Sequence, residues 1–350
     1  MGTFDGVIGH AQVLALLASE VDAPAQAYLF VGPESVGKAT VARRFSADLL
    51  CRGDDDGIRR VLAGVHPDLV VVEPDGKAAI TVDQARLTVS HASLTPLQAE
   101  RKVFVFEEGG AMNDEAANAL LKTLEEPTPS TVFIIVAESV DDLPDTVASR
   151  CRTVVFGRVG EDDVSAGLAA RGVESGQADR AARISGGRPG LAIALATRPE
   201  VAEFRKVWLS IPEKLAEHPA RAFQLADAVQ AAAEPLLAAL RERQGTETDA
   251  AGDAGRVVKD RHDREVKRAT SALYVSGLEI LAGFYRDVAA AQFGAPVRNM
   301  DVSAASLTRV LPTTAVANAE RVLETVEALA ANQRPQLAFA NLFADLGAAT

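Results

Sequence analysis

Gly32, Gly37 and Lys38 stand in the run Gly32-Pro33-Glu34-Ser35-Val36-Gly37-Lys38-Ala39-Thr40. A glycine, four residues, a second glycine and a lysine form the frame of a phosphate-binding loop, whose full pattern ends in Ser or Thr. The glycines let backbone N–H groups wrap phosphate oxygens. The start of the next helix adds partial positive charge, and the lysine reaches the terminal phosphates. The hydroxyl that would bind Mg²⁺ is missing, because Ala39 holds its position. Thr40 carries a hydroxyl one residue late, about 100° further round a helix. The loop therefore reads as a degenerate nucleotide site, with Lys38 retained and binding of ATP left open.

A second constellation is Val103-Phe104-Val105-Phe106-Glu107-Glu108. An apolar strand ending in two acids fits the element in which the first acid holds Mg²⁺ and the second orients the attacking water. The first acid here is Glu107, one methylene longer than the usual Asp, which suits tight octahedral Mg²⁺ geometry poorly. A plain strand end with solvated acids is the alternative. Further on, Leu143-Pro144-Asp145-Thr146-Val147-Ala148-Ser149-Arg150-Cys151 follows another apolar strand. Arg150 reads either as a surface ion-pair arginine or as an arginine finger aimed at a phosphate on a neighbouring subunit. A finger stabilises charge on the transferring phosphoryl group.

The elements around these residues support the loop reading. Residues 8–20 read as a helix, 27–31 as a buried strand, and the stretch after Lys38 as a helix, so the glycine loop sits between strand and helix as the pattern requires. Residues 69–72, 103–106 and 132–136 are apolar runs without alternation, as in strands buried on both faces of a parallel sheet. Helices are predicted over about 83–93 and 114–126, the latter capped by Asn113 or Asp114 and ended by Pro127. Residues 1–157 thus form an α/β domain with helices on both faces of the sheet. After Phe156 the strand signals stop. Residues 158–203 read as a small helical unit with a Gly-Gly-Arg-Pro-Gly turn at 186–190, and 204–350 as all helical. The polar, glycine-containing stretch 244–255 predicts an exposed, mobile loop. The mixed-charge segment that follows reads as a solvated helix face or as a contact with DNA or a partner, through Arg256, Lys259 and Arg264.

The chain has 350 residues, 48% of them apolar and 5% aromatic, with a formal net charge of −12. That balance argues against strong DNA binding by the chain alone. The first ten residues show no signal-peptide pattern and no run reaches the ~20 apolar residues of a membrane span, so a cytoplasmic location is expected. The only cysteines, Cys51 and Cys151, make no disulfide framework and no zinc site by themselves.

In this order the elements resemble bacterial clamp-loader subunits of the AAA+ class. NALLKTLEEP (118–127), a strand, and then LPDTVASRC (143–151) carry the likeness most specifically. GVHPDLVVVEP (64–74) and the run 95–127 look like the delta-prime branch rather than the motor branch. The likeness is strong over 1–156 and weaker at 184–195 and 329–343. The resemblance implies three domains: an ATPase-like domain, a small helical lid and a helical collar. It implies partners as well, namely gamma/tau and delta subunits in a hetero-pentameric ring, with the sliding clamp and primed DNA reached through the complex. By match, Arg150 of Ser-Arg-Cys is the finger given in trans to a motor neighbour. The implied role is a non-hydrolysing subunit of a DNA polymerase holoenzyme. An active motor subunit of the same ring is the alternative, and a small-molecule kinase would leave 112–151 unexplained. Ala39, Glu107 and Gly190, which stands about where motor subunits place a lid arginine, all favour the non-hydrolysing reading.

Many members of the family also carry a four-cysteine zinc module before the His-Pro-Asp segment. Here Cys51 stands where the first would be and no other cysteine follows. His66 and the neighbouring aspartates restore no usual ligand spacing, so no metal site is expected. Elemental analysis of the purified chain is expected to find no stoichiometric zinc, and one equivalent would contradict this.

Overall fold

The computed structural model describes residues 4–74, 79–126, 128–215, 218–250, 255–299 and 301–348. They fall into two compact units, Met1–Ile193 and Ala194–Thr350. In the first, α1 (Ala11–Ser19) precedes β1 (Ala27–Val31), then α2 (Lys38–Cys51), α3 (Asp55–Leu62), β2 (Leu69–Val72), α4 (Val82–Ala92), β3 (Lys102–Phe106), α5 (Asp114–Glu125), β4 (Thr131–Ala137), α6 (Asp145–Ala148) and β5 (Arg152–Val155). The strands form one sheet in the order β2-β3-β4-β1-β5, and every pairing is parallel.

The strands are apolar throughout because both faces are covered. Leu29, Val31, Phe104, Phe106, Phe133 and Ile135 pack on one side with residues of α4, α5 and α6. Tyr28, Phe30, Val103, Val105, Ile134 and Val136 pack on the other with residues of α1, α2 and α3. Successive side chains of a strand point to opposite faces, so a single run such as Phe133-Ile134-Ile135-Val136 feeds both cores. The expected α/β architecture is what the chain adopts. The edge strand β5 was not anticipated: only Val154 of its four residues is buried, so it lacks the long apolar run that marked the others.

The first unit continues through α7 (Glu161–Ala169) and α8 (Ser175–Ser185), and α9 (Pro189–Thr197) runs across its end. The second unit is helical: α10 (Pro199–Leu209), α11 (Ile211–Lys214), α12 (Pro219–Ala250), α13 (Gly255–Gln292), α14 (Ala304–Leu307), α15 (Pro312–Ala330) and α16 (Pro335–Ala348). Its core gathers on Trp208, Phe284, Tyr285, Phe339 and Phe343. A Cβ at Gly277 would lie 2.0 Å from Cε2 of Trp208, so glycine there lets the indole lie directly on α13. Arg205 is buried in the same unit, where its guanidinium donates to both carboxylate oxygens of Asp301 and to Asn299 Oδ1.

The predicted loop at 244–255 is not what the structure describes at its two ends. Residues 244–250 continue α12 and Gly255 opens α13, while 251–254 lie outside the described residues. The side chains of Arg256, Lys259 and Arg264, and Pro127 at the end of α5, lie outside them too. No described helix is long and apolar enough to cross a membrane.

Candidate functional site

The glycine loop leaves β1 at Gly32, whose amide donates to the carbonyl of Glu138 at the end of β4. Gly32 has φ +148°, and a Cβ there would meet the Phe156 carbonyl oxygen at 2.1 Å. Only glycine fits. Gly32→Ala is expected to destabilise the first unit by about 2–3 kcal/mol through strain and overlap, read by urea denaturation. An unchanged midpoint would show that the loop relaxes freely. Gly37 takes φ +112° as the residue before α2, and Ser35 also has positive φ.

The loop's carbonyls are held from several directions. Lys38, 7% exposed, donates Nζ to the Gly32 carbonyl at 2.5 Å and to the Pro33 carbonyl at 2.7 Å. The Gly190 amide donates to the Ser35 carbonyl at 2.9 Å. His10 Nε2 donates to the Val36 carbonyl at 2.9 Å. Burial pushes the Lys38 ammonium below its ordinary range, against the opposing pull of Glu138, Glu34 and Asp142. By contrast, the amides of Val36, Gly37 and Lys38 donate to no group of the chain among the described residues. They are the donors that a phosphate would use.

The acids at the end of β3 are placed differently. Glu107 accepts a two-pronged bond from Arg43, Nε to Oε1 at 2.5 Å and Nη2 to Oε2 at 3.0 Å. Glu108 is exposed at the turn into residues 109–111. Ala39 is half-buried and Thr40 exposed, so the late hydroxyl faces away from the loop's interior. Mg²⁺ in this class of site needs a helix hydroxyl and a strand carboxylate around it. Here the first is absent and both oxygens of the second are taken by a guanidinium. The residues present do not fit the ion.

Arg150 lies past the end of α6, with 34% of its side chain exposed. It donates Nη1 to the Thr146 carbonyl at 2.6 Å and pairs through Nη2 with Glu125 at the end of α5. It shares no bond with the glycine loop among the described residues. The structure thus gathers Gly32, Gly37, Lys38, Ala39, Thr40 and Glu107 at one end of the sheet and holds Arg150 apart from them. Reading the sequence alone missed three participants: His10, Arg43 and Glu125. Arg43 had a signal, since it follows Ala39 by four residues and so shares its helix face.

Among the described residues no metal-ligand group forms around Cys51. No three of His, Cys, Asp and Glu gather as a metal group among the described residues. His66 and Asp68 are engaged with each other and with the loop before β3. The Asp68 amide donates to His66 Nδ1, and the Asp68 carboxylate accepts from the amides of Leu97, Gln98 and Ala99.

A family model described as "DNA polymerase III, delta subunit" matches residues 9–159. The DNA polymerase III subunit delta' of Pseudomonas aeruginosa is 40% identical over 136 residues, 36% of this chain and 42% of that one. Residues 9–159 are thus similar to DNA polymerase III delta-prime subunits. The delta' subunit of Bacillus subtilis is 33% identical over 154 residues, 41% of this chain and 46% of that one. The tau subunit of Escherichia coli is 32% identical over 159 residues, 43% of this chain and 24% of that one. The chain therefore spans less than half the length of the delta-prime relatives it matches. Among solved structures, a gamma-subunit-related protein of Thermotoga maritima aligns over 96% of this chain and 99% of its own, at 16% identity and a TM-score of 0.48.

Proposed function

We propose that this chain is the delta-prime subunit of a DNA polymerase III clamp loader, working in the cytoplasm as a non-hydrolysing member of a hetero-pentameric ring with gamma/tau and delta subunits. Residues 1–157 are its ATPase-like domain, 158–203 its lid and 204–350 the collar that joins the ring. It supports ATP-driven loading of the sliding clamp onto primed DNA, and reaches clamp and DNA through the complex.

One observation carries this reading: Glu107, at the position where a metal-binding acid would stand, is committed to Arg43, while Arg150 stands exposed on the surface. Chemistry is thereby disfavoured at the chain's own loop, and a cation is left available for a neighbour's. Arg150 leaves Glu125 to point at the γ-phosphate held by an adjacent motor subunit. The exposed Arg150–Glu125 pair is worth no more than about 1 kcal/mol, so a phosphate can replace the carboxylate at little cost. The motor alternative requires a hydroxyl at position 39 and a free acid at 107, and the chain has neither.

The reading is tested by assembly and turnover. Mixed with motor and delta subunits, the chain is expected to co-elute in one defined complex, and its omission to abolish clamp loading. Alone it is expected to show no ATP turnover above background. Lysine-dependent turnover by the isolated chain would restore the motor reading.

A further inference from the structure

Arg43 belongs to no motif that the sequence displays, yet it sits where the missing chemistry would be. It follows Ala39 by four residues on α2, so the two share a helix face. A helical side chain leans toward the helix N-terminus, so Arg43 covers the turn that contains Ala39. From there it grips both oxygens of Glu107 at 2.5 and 3.0 Å. The guanidinium therefore bridges the two positions that would share a divalent cation, the first lacking an oxygen and the second already neutralised.

The hydrogen bond to Glu107 holds the Arg43 guanidinium above its ordinary range, against the opposing effect of burial. The charge is thus present at every working pH. A hard divalent ion prefers near-octahedral oxygen ligands at short range and sheds water reluctantly. To reach Glu107 it would have to break a two-pronged ion pair and then sit beside the displaced arginine.

We propose that Arg43 is a protein-supplied cation standing in the place of the divalent metal, so that this loop is built to exclude metal rather than merely short of one ligand. The inference goes beyond the proposed role of the chain in a loader. It concerns only α2 and β3, and Arg150 can act as a finger whether or not it holds.

The test uses the full chain and Mn²⁺ alone, with bound ion read by electron paramagnetic resonance. The wild-type chain is expected to hold no stoichiometric Mn²⁺. Arg43→Ala and Arg43→Gln, the second retaining most of the side-chain stem should the first fail to fold, are expected to bind Mn²⁺ roughly tenfold or more tightly than wild type, because the charge repulsion is gone. Adding Glu107→Gln to either is expected to remove that gain. One equivalent of Mn²⁺ in the wild type, lost in Glu107→Gln, would overturn the proposal. So would folded Arg43 variants that gain no Mn²⁺, since something else would then exclude the metal.

Discussion

Asp68→Ala is expected to lower the stability of the first unit by about 3–5 kcal/mol, because it removes a buried charge whose partners stay behind. The Asp68 side chain is fully buried and takes three amide bonds, from Leu97 at 2.6 Å, Gln98 at 2.7 Å and Ala99 at 2.9 Å. Those amides lie in the connection between α4 and β3, so the carboxylate fixes how the chain enters the interior strand that Glu107 follows. For a domain of this size the loss corresponds to a fall of roughly 10 °C in Tm.

The effect has a defined pH dependence. Burial pushes the Asp68 carboxyl up, but the three amides, with His66 nearby, outweigh it and hold the group below its ordinary range. A carboxyl depressed in the fold stabilises above its unfolded value and loses that contribution as pH falls through the folded one. Burial and Arg60 likewise hold the His66 imidazole below its ordinary range, despite the pull of Asp68 and Asp54. Its neutral form is favoured in the fold, so its contribution also shrinks on acidification, starting from the ordinary histidine range. Denaturation curves are therefore expected to converge for wild type and Asp68→Ala as the pH is lowered from neutral into the carboxylate range. A constant gap would show that the substitution acts through packing rather than through the charge.

The second large effect follows from the proposed role of Arg150 as a finger and would be read at a neighbouring subunit's site. Arginine fingers are worth ~10³–10⁵ in hydrolysis rate at the site they serve. Arg150→Ala is expected to slow that site by this order, and to lower total hydrolysis by the share that the site carries. Arg150→Lys is expected to rescue little, since an ammonium offers a point charge and not a planar fork. Because Arg150 is exposed and its partners are Thr146 and Glu125, neither change should disturb the fold.

How far the sequence reveals this depends on the range of each interaction. The strands β1, β3 and β4 were legible because they are buried on both faces and read as unbroken apolar runs. The edge strand β5, with Arg152, Thr153 and Val155 exposed, carried no such run, and its pairing with β1 is set by the rest of the sheet. The stretch 244–250 was misread because glycine and threonine disfavour a helix locally, and local propensity is a weak prior against the long helix that continues through it. The loop glycines and Lys38 were found from spacing alone. The bond between Arg43 and Glu107 joins residues 64 apart in sequence, and that between Arg150 and Glu125 joins residues 25 apart. Spacing does not encode either, yet the first pair occupies Glu107 and the second holds Arg150 at the surface.

The most direct measurement is clamp- and primed-DNA-stimulated ATP hydrolysis by a reconstituted loader, comparing wild type with Arg150→Ala in this subunit. Assembly of both complexes is verified by gel filtration. A clear loss of stimulated hydrolysis with assembly intact is the predicted result, and it would establish Arg150 as a finger acting in trans. An unchanged rate in an intact complex would contradict it, returning Arg150 to a surface ion pair with Glu125 and leaving the chain a scaffold.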